Sequence, residues 1–158
     1  MTMLLNYLHQ LATGLLVGKV VFLSFMVAPI LAQTLDAEAF GKTVRRLFPD
    51  YYLLGMGSAV IALTSLMGLT LIHGAGYVIL LSMALWAGVV ASETYSRFYL
   101  TPQSNAMRDQ LKQQELHRAV DLALKKSWDR LHRRSVVLNS LVLLAGLILI
   151  WTAGQLKS

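Results

Sequence analysis

Trp128, His132, Ser135 and Asn139 recur at i, i+4, i+7 and i+11, which sets an imidazole, a hydroxyl and an amide along one helix face. Glu93 and Arg97 stand four residues apart, the spacing at which two side chains on a helix can form an ion pair. Phe48-Pro49-Asp50-Tyr51-Tyr52 adds a carboxylate, aromatic rings and phenolic hydroxyls. Brought to one depth by three helices, Tyr52, Glu93, Arg97, His132, Ser135 and Asn139 would make a polar site for an ion or a small molecule. The competing reading is a structural polar network that ties surface helices to the rest of the fold.

Two more residues stand isolated among apolar neighbours. His9 shares a helix face with Thr13, Val20, Ser24 and Val27. It reads either as an interfacial histidine bonded to an adjacent helix, or as an axial haem ligand or proton relay. His73 could approach it, or could cap the end of its own helix. Lys19 lies near the middle of an apolar run, where a bare ammonium costs about 3 kcal/mol on insertion scales. Its nearest candidate counter-ion is Glu93, although depth counted along the apolar stretches leaves the two vertically apart. The alternative is a lysine that snorkels to backbone carbonyls or water.

Other chemistry is excluded. The chain has no cysteine, hence no disulfide, iron–sulfur cluster, thiolate metal site or cysteine nucleophile. It has no clustered metal-ligand spacing, no glycine-rich phosphate loop and no nucleophile elbow, so soluble nucleases, kinases and dehydrogenases do not fit.

The elements that must position these residues are apolar. Four stretches, about 4–31, 51–72, 77–92 and 136–156, are long enough to cross a bilayer, and together they imply a single transmembrane domain over 1–158. Composition agrees, with 56% hydrophobic and 14% charged residues and a mean hydropathy of +0.57. The first stretch is expected to be retained rather than cleaved, because its first charge, Lys19, lies inside the apolar run. Basic residues gather in 32–50 (Lys42, Arg45, Arg46) and in 93–135 (Arg97, Arg108, Lys112, Arg118, Lys125, Lys126, Arg130, Arg133, Arg134). The turn 73–76 carries none, and the C-terminus only Lys157. The positive-inside rule then makes both segments cytoplasmic and both termini external, in what reads as a bacterial inner membrane. The net charge of +6 thus reflects topology and anionic headgroups, not nucleic acid.

The cytoplasmic segments carry helical signals of their own. Asp36 is a candidate N-cap, and Phe40, Val44 and Leu47 predict a short amphipathic helix that Pro49 ends. Thr101-Pro102 reads as N-cap plus first-turn proline. Met107, Leu111, Leu116, Val120, Leu124, Trp128 and Leu131 then form a helical stripe that runs into the fourth span. Gly14 and Gly18, with Gly55, Gly57, Ser58, Ser65 and Gly68, allow close helix contact, within the bundle or across a homodimer. Tyr7, Tyr77 and Trp151 suit interfacial anchors. The expected fold class is all-α, an integral membrane four-helix bundle with amphipathic cytoplasmic helices.

The order of these features resembles the transmembrane protein 205 family, whose domain has no known function. The similarity rests on His9, Phe40-Gly41, Leu47-Phe48-Pro49-x-Tyr51, Arg97 with Pro102, Met107, and Leu131-His132-x-x-Ser135-x-x-x-Asn139. It implies a four-span bundle and, more remotely, kinship with CopD-type copper-resistance proteins and HemJ-type protoporphyrinogen oxidases. In the latter an early histidine is linked to haem, which maps onto His9; this chain lacks a second histidine, or a lysine in span three, to complete that site. Three functions follow as expectations: ion or small-molecule binding of transport type, a haem-dependent membrane oxidoreductase, and a scaffold whose basic helical loop recruits anionic membrane lipid or a cytoplasmic partner.

Overall fold

The computed structural model describes residues 1–116 and 121–156. Arg118, Val120 and Lys157, singled out above for charge or periodicity, lie outside them. Helix α1 (Thr2–Phe22) runs through a π-helical turn, Leu23–Val27, into α2 (Ala28–Thr34). Helix α3 spans Ala37–His73, and α4 (Tyr77–Tyr95) continues through a second π-helical turn, Ser96–Leu100, into α5 (Thr101–Leu116). Helix α6 covers Leu122–Ala153. No strand occurs among the described residues, and four of these helices, counted through their π turns, are long and apolar enough to cross a membrane.

Around the bundle the order is α1, α3, α4, α6, so that α1 faces α4, and α3 faces α6, diagonally across the centre. Leu16, Ala59, Leu66, Trp86 and Leu149 close the interior. The outward face is apolar as well: Phe25, Val60, Leu71 and Trp151 are all more than 60% exposed, while His9, Lys19 and Glu93 are buried. That distribution inverts the pattern of a water-soluble bundle and suits a hydrocarbon solvent. Tyr7, Tyr77 and Trp151 stand outward near helix ends, as membrane anchors do.

Several local expectations change. Asp36 does cap α3, its carboxylate accepting from Ala39 N–H at 2.8 Å. Pro49, however, does not end a short helix; it lies inside a continuous 37-residue one. A proline inside a helix removes one backbone bond, here to the Arg45 carbonyl, without ending the helix; the Pro49 carbonyl itself accepts from Arg97 of the neighbouring helix. Thr101 is no N-cap, because the helix arrives unbroken from Ser96–Leu100 and the Thr101 hydroxyl bonds back to Ser96 O at 2.7 Å. The stripe from Met107 to Leu131 is divided between α5 and α6, the latter opened by an Asp121 side chain that accepts from Ala123 N–H at 2.7 Å. Gly14 and Gly18 do not serve packing inside the bundle: a Cβ at either would meet nothing within 4 Å. Gly55 and Gly68 are close-contact glycines as expected, against Lys19 with Glu93 and against Leu5, and Gly146 joins them, pressed against the Val17 side chain.

Candidate functional site

Ionic chemistry sits at the centre of the bundle. Lys19 Nζ and Glu93 Oε1 are 2.6 Å apart, with both side chains almost wholly buried. The link runs diagonally from α1 to α4, which have no backbone contact, so it crosses the axis of the fold. It can do so because Gly55 of α3 leaves the space empty; a Cβ there would overlap the Lys19 ammonium and the Glu93 carboxyl. Lys19 also donates to the Tyr51 carbonyl at 3.2 Å and lies 3.9 Å from the centroid of the Tyr51 ring. A carbonyl and an aromatic face add to the carboxylate in offsetting the loss of water around the cation. Glu93 is less well provided for. Its Oε2 is buried and has no hydrogen-bond partner.

A second polar link lies beside the first. Tyr51 OH donates to Asn139 Oδ1 at 2.6 Å, and Asn139 Nδ2 donates to Ser24 Oγ at 3.1 Å, so α3, α6 and the first π turn are joined through one amide. Tyr52 is buried, with Ser135, Thr101 and Ser96 close to its hydroxyl. Tyr52, Glu93, Ser135 and Asn139 therefore gather where three helices converge, together with Lys19, Tyr51 and Ser24.

The remaining two sequence candidates go elsewhere. Arg97 forms no ion pair with Glu93, because it lies in the π turn and donates to the Pro49 carbonyl while Glu93 turns to Lys19. His132 is exposed and stacks on Trp128, with ring centroids 5.6 Å apart, away from the centre. Sequence periodicity fixed its helix face but not the rotation of that face, which is set by Leu131 and Val142 turning inward.

His9 occupies another buried position nearer the opposite end. Trp86 Nε1 donates to His9 Nε2 at 3.2 Å across the same diagonal, and the two rings meet edge to face. Thr13 Oγ1 donates to His9 O one turn earlier in α1, at 2.8 Å. This arrangement does not fit an axial haem ligand: Nε2 is taken by the indole, the imidazole has no exposed surface, and His73 pairs with Thr2 at 3.4 Å. His9 Nδ1 is buried without a hydrogen-bond partner. No group of three or more His, Cys, Asp or Glu residues able to hold a metal occurs among the described residues.

Trp86 and Gly55 join the buried polar groups without standing out in the sequence as site residues. Trp86 carried a faint signal, as an aromatic in mid-span with an N–H that must find an acceptor. Gly55 carried none beyond membership of a run of small residues.

Beyond the basic end of the membrane stretch, α3 and α5 are clasped by charges. Arg45 meets Asp109 at 2.6 Å, Glu38 meets Lys42 at 2.9 Å and Lys112 at 3.2 Å, and Arg108 donates to Ala37 O at 2.7 Å. Hydrogen bonds from Lys42 and Lys112 hold the Glu38 carboxyl below its ordinary range, and Arg45 does the same for Asp109. No curated protein matches the chain, and no solved structure does. The model of the DUF4149 family, a domain of unknown function, matches residues 11–113, a stretch that holds Lys19, Tyr51, Gly55 and Glu93 and stops short of α6. The chain belongs to the DUF4149 family.

Proposed function

We propose that the chain is a membrane protein of transport type that binds a small cation, from a proton to a simple amine, at Glu93. The observation that carries this reading is the buried Lys19–Glu93 contact with one carboxylate oxygen left unpartnered. A tethered ammonium at a carboxylate is an internal substitute for a mobile cation. An arriving cation would take Glu93, and Lys19 would turn to the Tyr51 carbonyl and ring that it already touches. Helices α1 and α4 each carry a π turn within about one helical turn of the charged residue, and such turns are frequent at functional sites because they let a helix change register locally. The Asn139 amide and the Tyr51 hydroxyl, joined at 2.6 Å, supply polar groups beside the Lys19–Glu93 pair.

In this reading the basic end is cytoplasmic, the termini are external and the membrane is a bacterial inner membrane, as the charge asymmetry favours. The ordered motif from His9 to Asn139 keeps the resemblance to the transmembrane protein 205 family as part of the same proposal. The buried indole on His9 weighs against the haem alternative.

Proteoliposomes holding a pH-sensitive dye test the reading. After an external acid pulse, or dilution out of methylammonium, vesicles with the wild-type chain should change internal pH faster than empty ones. The Lys19→Met/Glu93→Gln double variant should match empty vesicles. Wild-type vesicles that match empty ones in both assays would refute it.

A further inference from the structure

We propose that the seam between α4 and α6 is a binding site for one anionic phospholipid, its headgroup at the basic end and an acyl chain along the bundle. Two adjoining cavities make the site. One, of about 430 Å³, is lined by Arg130, Arg133 and Arg134 with Tyr95, Val137 and Leu138. The other, of about 470 Å³, begins at the same Tyr95 and Leu138 and continues past Gly88, Ala91 and Ala145. A cup with three guanidinium groups thus opens into a trough floored by small apolar side chains.

The register follows from helix geometry. Arg130, Arg133, Arg134, Val137, Leu138 and Leu141 stand at i, i+3, i+4, i+7, i+8 and i+11, so cationic and apolar groups share one face and change character along it. The trough exists because α4 offers little there; a Cβ on Gly88 would meet nothing within 4 Å. The arginines are available. None of the three pairs with a carboxylate among the described residues, and only Arg130 has a side-chain partner, Ser127 Oγ at 3.2 Å. Clustered guanidinium groups recognise phosphate oxygens in bidentate fashion, and basic pockets between spans suit anionic headgroups. Charge selects the headgroup and the trough selects a molecule with a tail, so the occupant is a phospholipid and not free phosphate. This site shares no residue with the Lys19–Glu93 centre and stands independently of the transport reading.

Native mass spectrometry of the detergent-solubilised protein, titrated with dioleoyl phosphatidylglycerol or dioleoyl phosphatidylcholine, provides the test. The wild type should retain one phosphatidylglycerol in preference to phosphatidylcholine. Each Arg→Gln change should weaken retention about fivefold, the effect of one surface cation facing anionic lipid. Arg130→Gln/Arg133→Gln/Arg134→Gln should abolish the preference, whereas the charge-matched Lys42→Gln/Arg46→Gln/Lys125→Gln should keep it. Gly88→Phe fills the trough without altering charge and should also lose the lipid. Equal loss in the two triple variants, full retention in Gly88→Phe, or displacement of the lipid by equimolar glycerophosphoglycerol would each overturn the proposal.

Discussion

Removing one member of the Lys19–Glu93 pair should harm the protein far more than removing both. In Lys19→Met the Glu93 carboxylate loses its only partnered oxygen contact, at 2.6 Å, and remains in the bundle centre. In Glu93→Gln the ammonium keeps the Tyr51 carbonyl and ring but loses its counter-charge. Breaking a buried pair in this way costs about 3–5 kcal/mol, because an uncompensated charge is left in a low-dielectric interior. Lys19→Met/Glu93→Gln replaces both by neutral groups of similar volume and should stay within about 1 kcal/mol of wild type. An orphaned carboxylate can gain a proton and an orphaned ammonium can lose one, which trims the single-variant penalties. Even so, the coupling energy of the cycle should exceed about 3 kcal/mol in magnitude. Unfolding in mixed micelles by increasing sodium dodecyl sulfate, followed by far-ultraviolet circular dichroism, measures all four stabilities. Additive single-variant effects, or a double variant that falls below both singles, would refute a buried ionic contact.

Three further outcomes follow from named contacts. Gly55→Ala should cost about 1–3 kcal/mol in the same unfolding assay, since its Cβ meets the Lys19 ammonium and the Glu93 carboxyl. Gly57→Ala, which opens onto empty space, should be neutral or stabilising by about 0.5–1 kcal/mol. Asn139→Ala should cost about 1–3 kcal/mol by orphaning the Tyr51 hydroxyl and Ser24, and Tyr51→Phe should recover part of that loss in the Asn139→Ala background. Docking of α5 on α3 should be sensitive to pH and salt. Glu38 and Asp109 titrate below their ordinary 4.5 and 3.8, so their contribution is complete above those values and lost as pH falls through the folded-state pKa values. Lys42 titrates above its ordinary 10.5 through Glu38 of the same helix, so this contact within α3, not the docking of α5, is complete below that value and disappears on passing into more alkaline solution. Amide hydrogen exchange over 101–116, corrected for intrinsic rates, should rise at acid pH and in molar salt; invariance to both would show that the clasp does not hold the helix.

The apolar stretches made the bundle legible, because lipid-crossing helices must be long and nearly uncharged. What they concealed was where each helix continues. Glu93, Arg97 and the polar run after them look like the edge of a membrane, and depth counted to that edge separates Glu93 from Lys19. Counted from the other ends, Lys19 stands 17 residues beyond Thr2 and Glu93 16 beyond Tyr77. At about 1.5 Å per residue both lie about 25 Å into the bundle, which is why they meet. Periodicity likewise gathered His132, Ser135 and Asn139 onto one face, yet a helix face is about 100° wide and its margins point different ways. Asn139 and Ser135 are half-buried and His132 is exposed. Gly14 and Gly18 show the same ambiguity in reverse, small residues whose spacing suggests contact but whose face is open.

The two π turns have a common origin in sequence that also explains their position. In Leu23–Val27 followed by Ala28-Pro29, and in Ser96–Leu100 followed by Thr101-Pro102, a proline stands two residues past the widened turn. Proline lacks the N–H that would bond the carbonyl four residues earlier, and its ring crowds that carbonyl, here of Phe25 and Phe98. Widening the turn by one residue moves the bond to an i−5 partner, as in Ala28 N–H to Leu23 O. The helix therefore survives the proline, with its register shifted between the charged residue and the basic end. That shift brings Ser24 to Asn139 on one side and aims Arg97 at the Pro49 carbonyl on the other. Pro29 and Pro102 thus act on the polar centre from outside it, through backbone geometry and without touching Lys19 or Glu93.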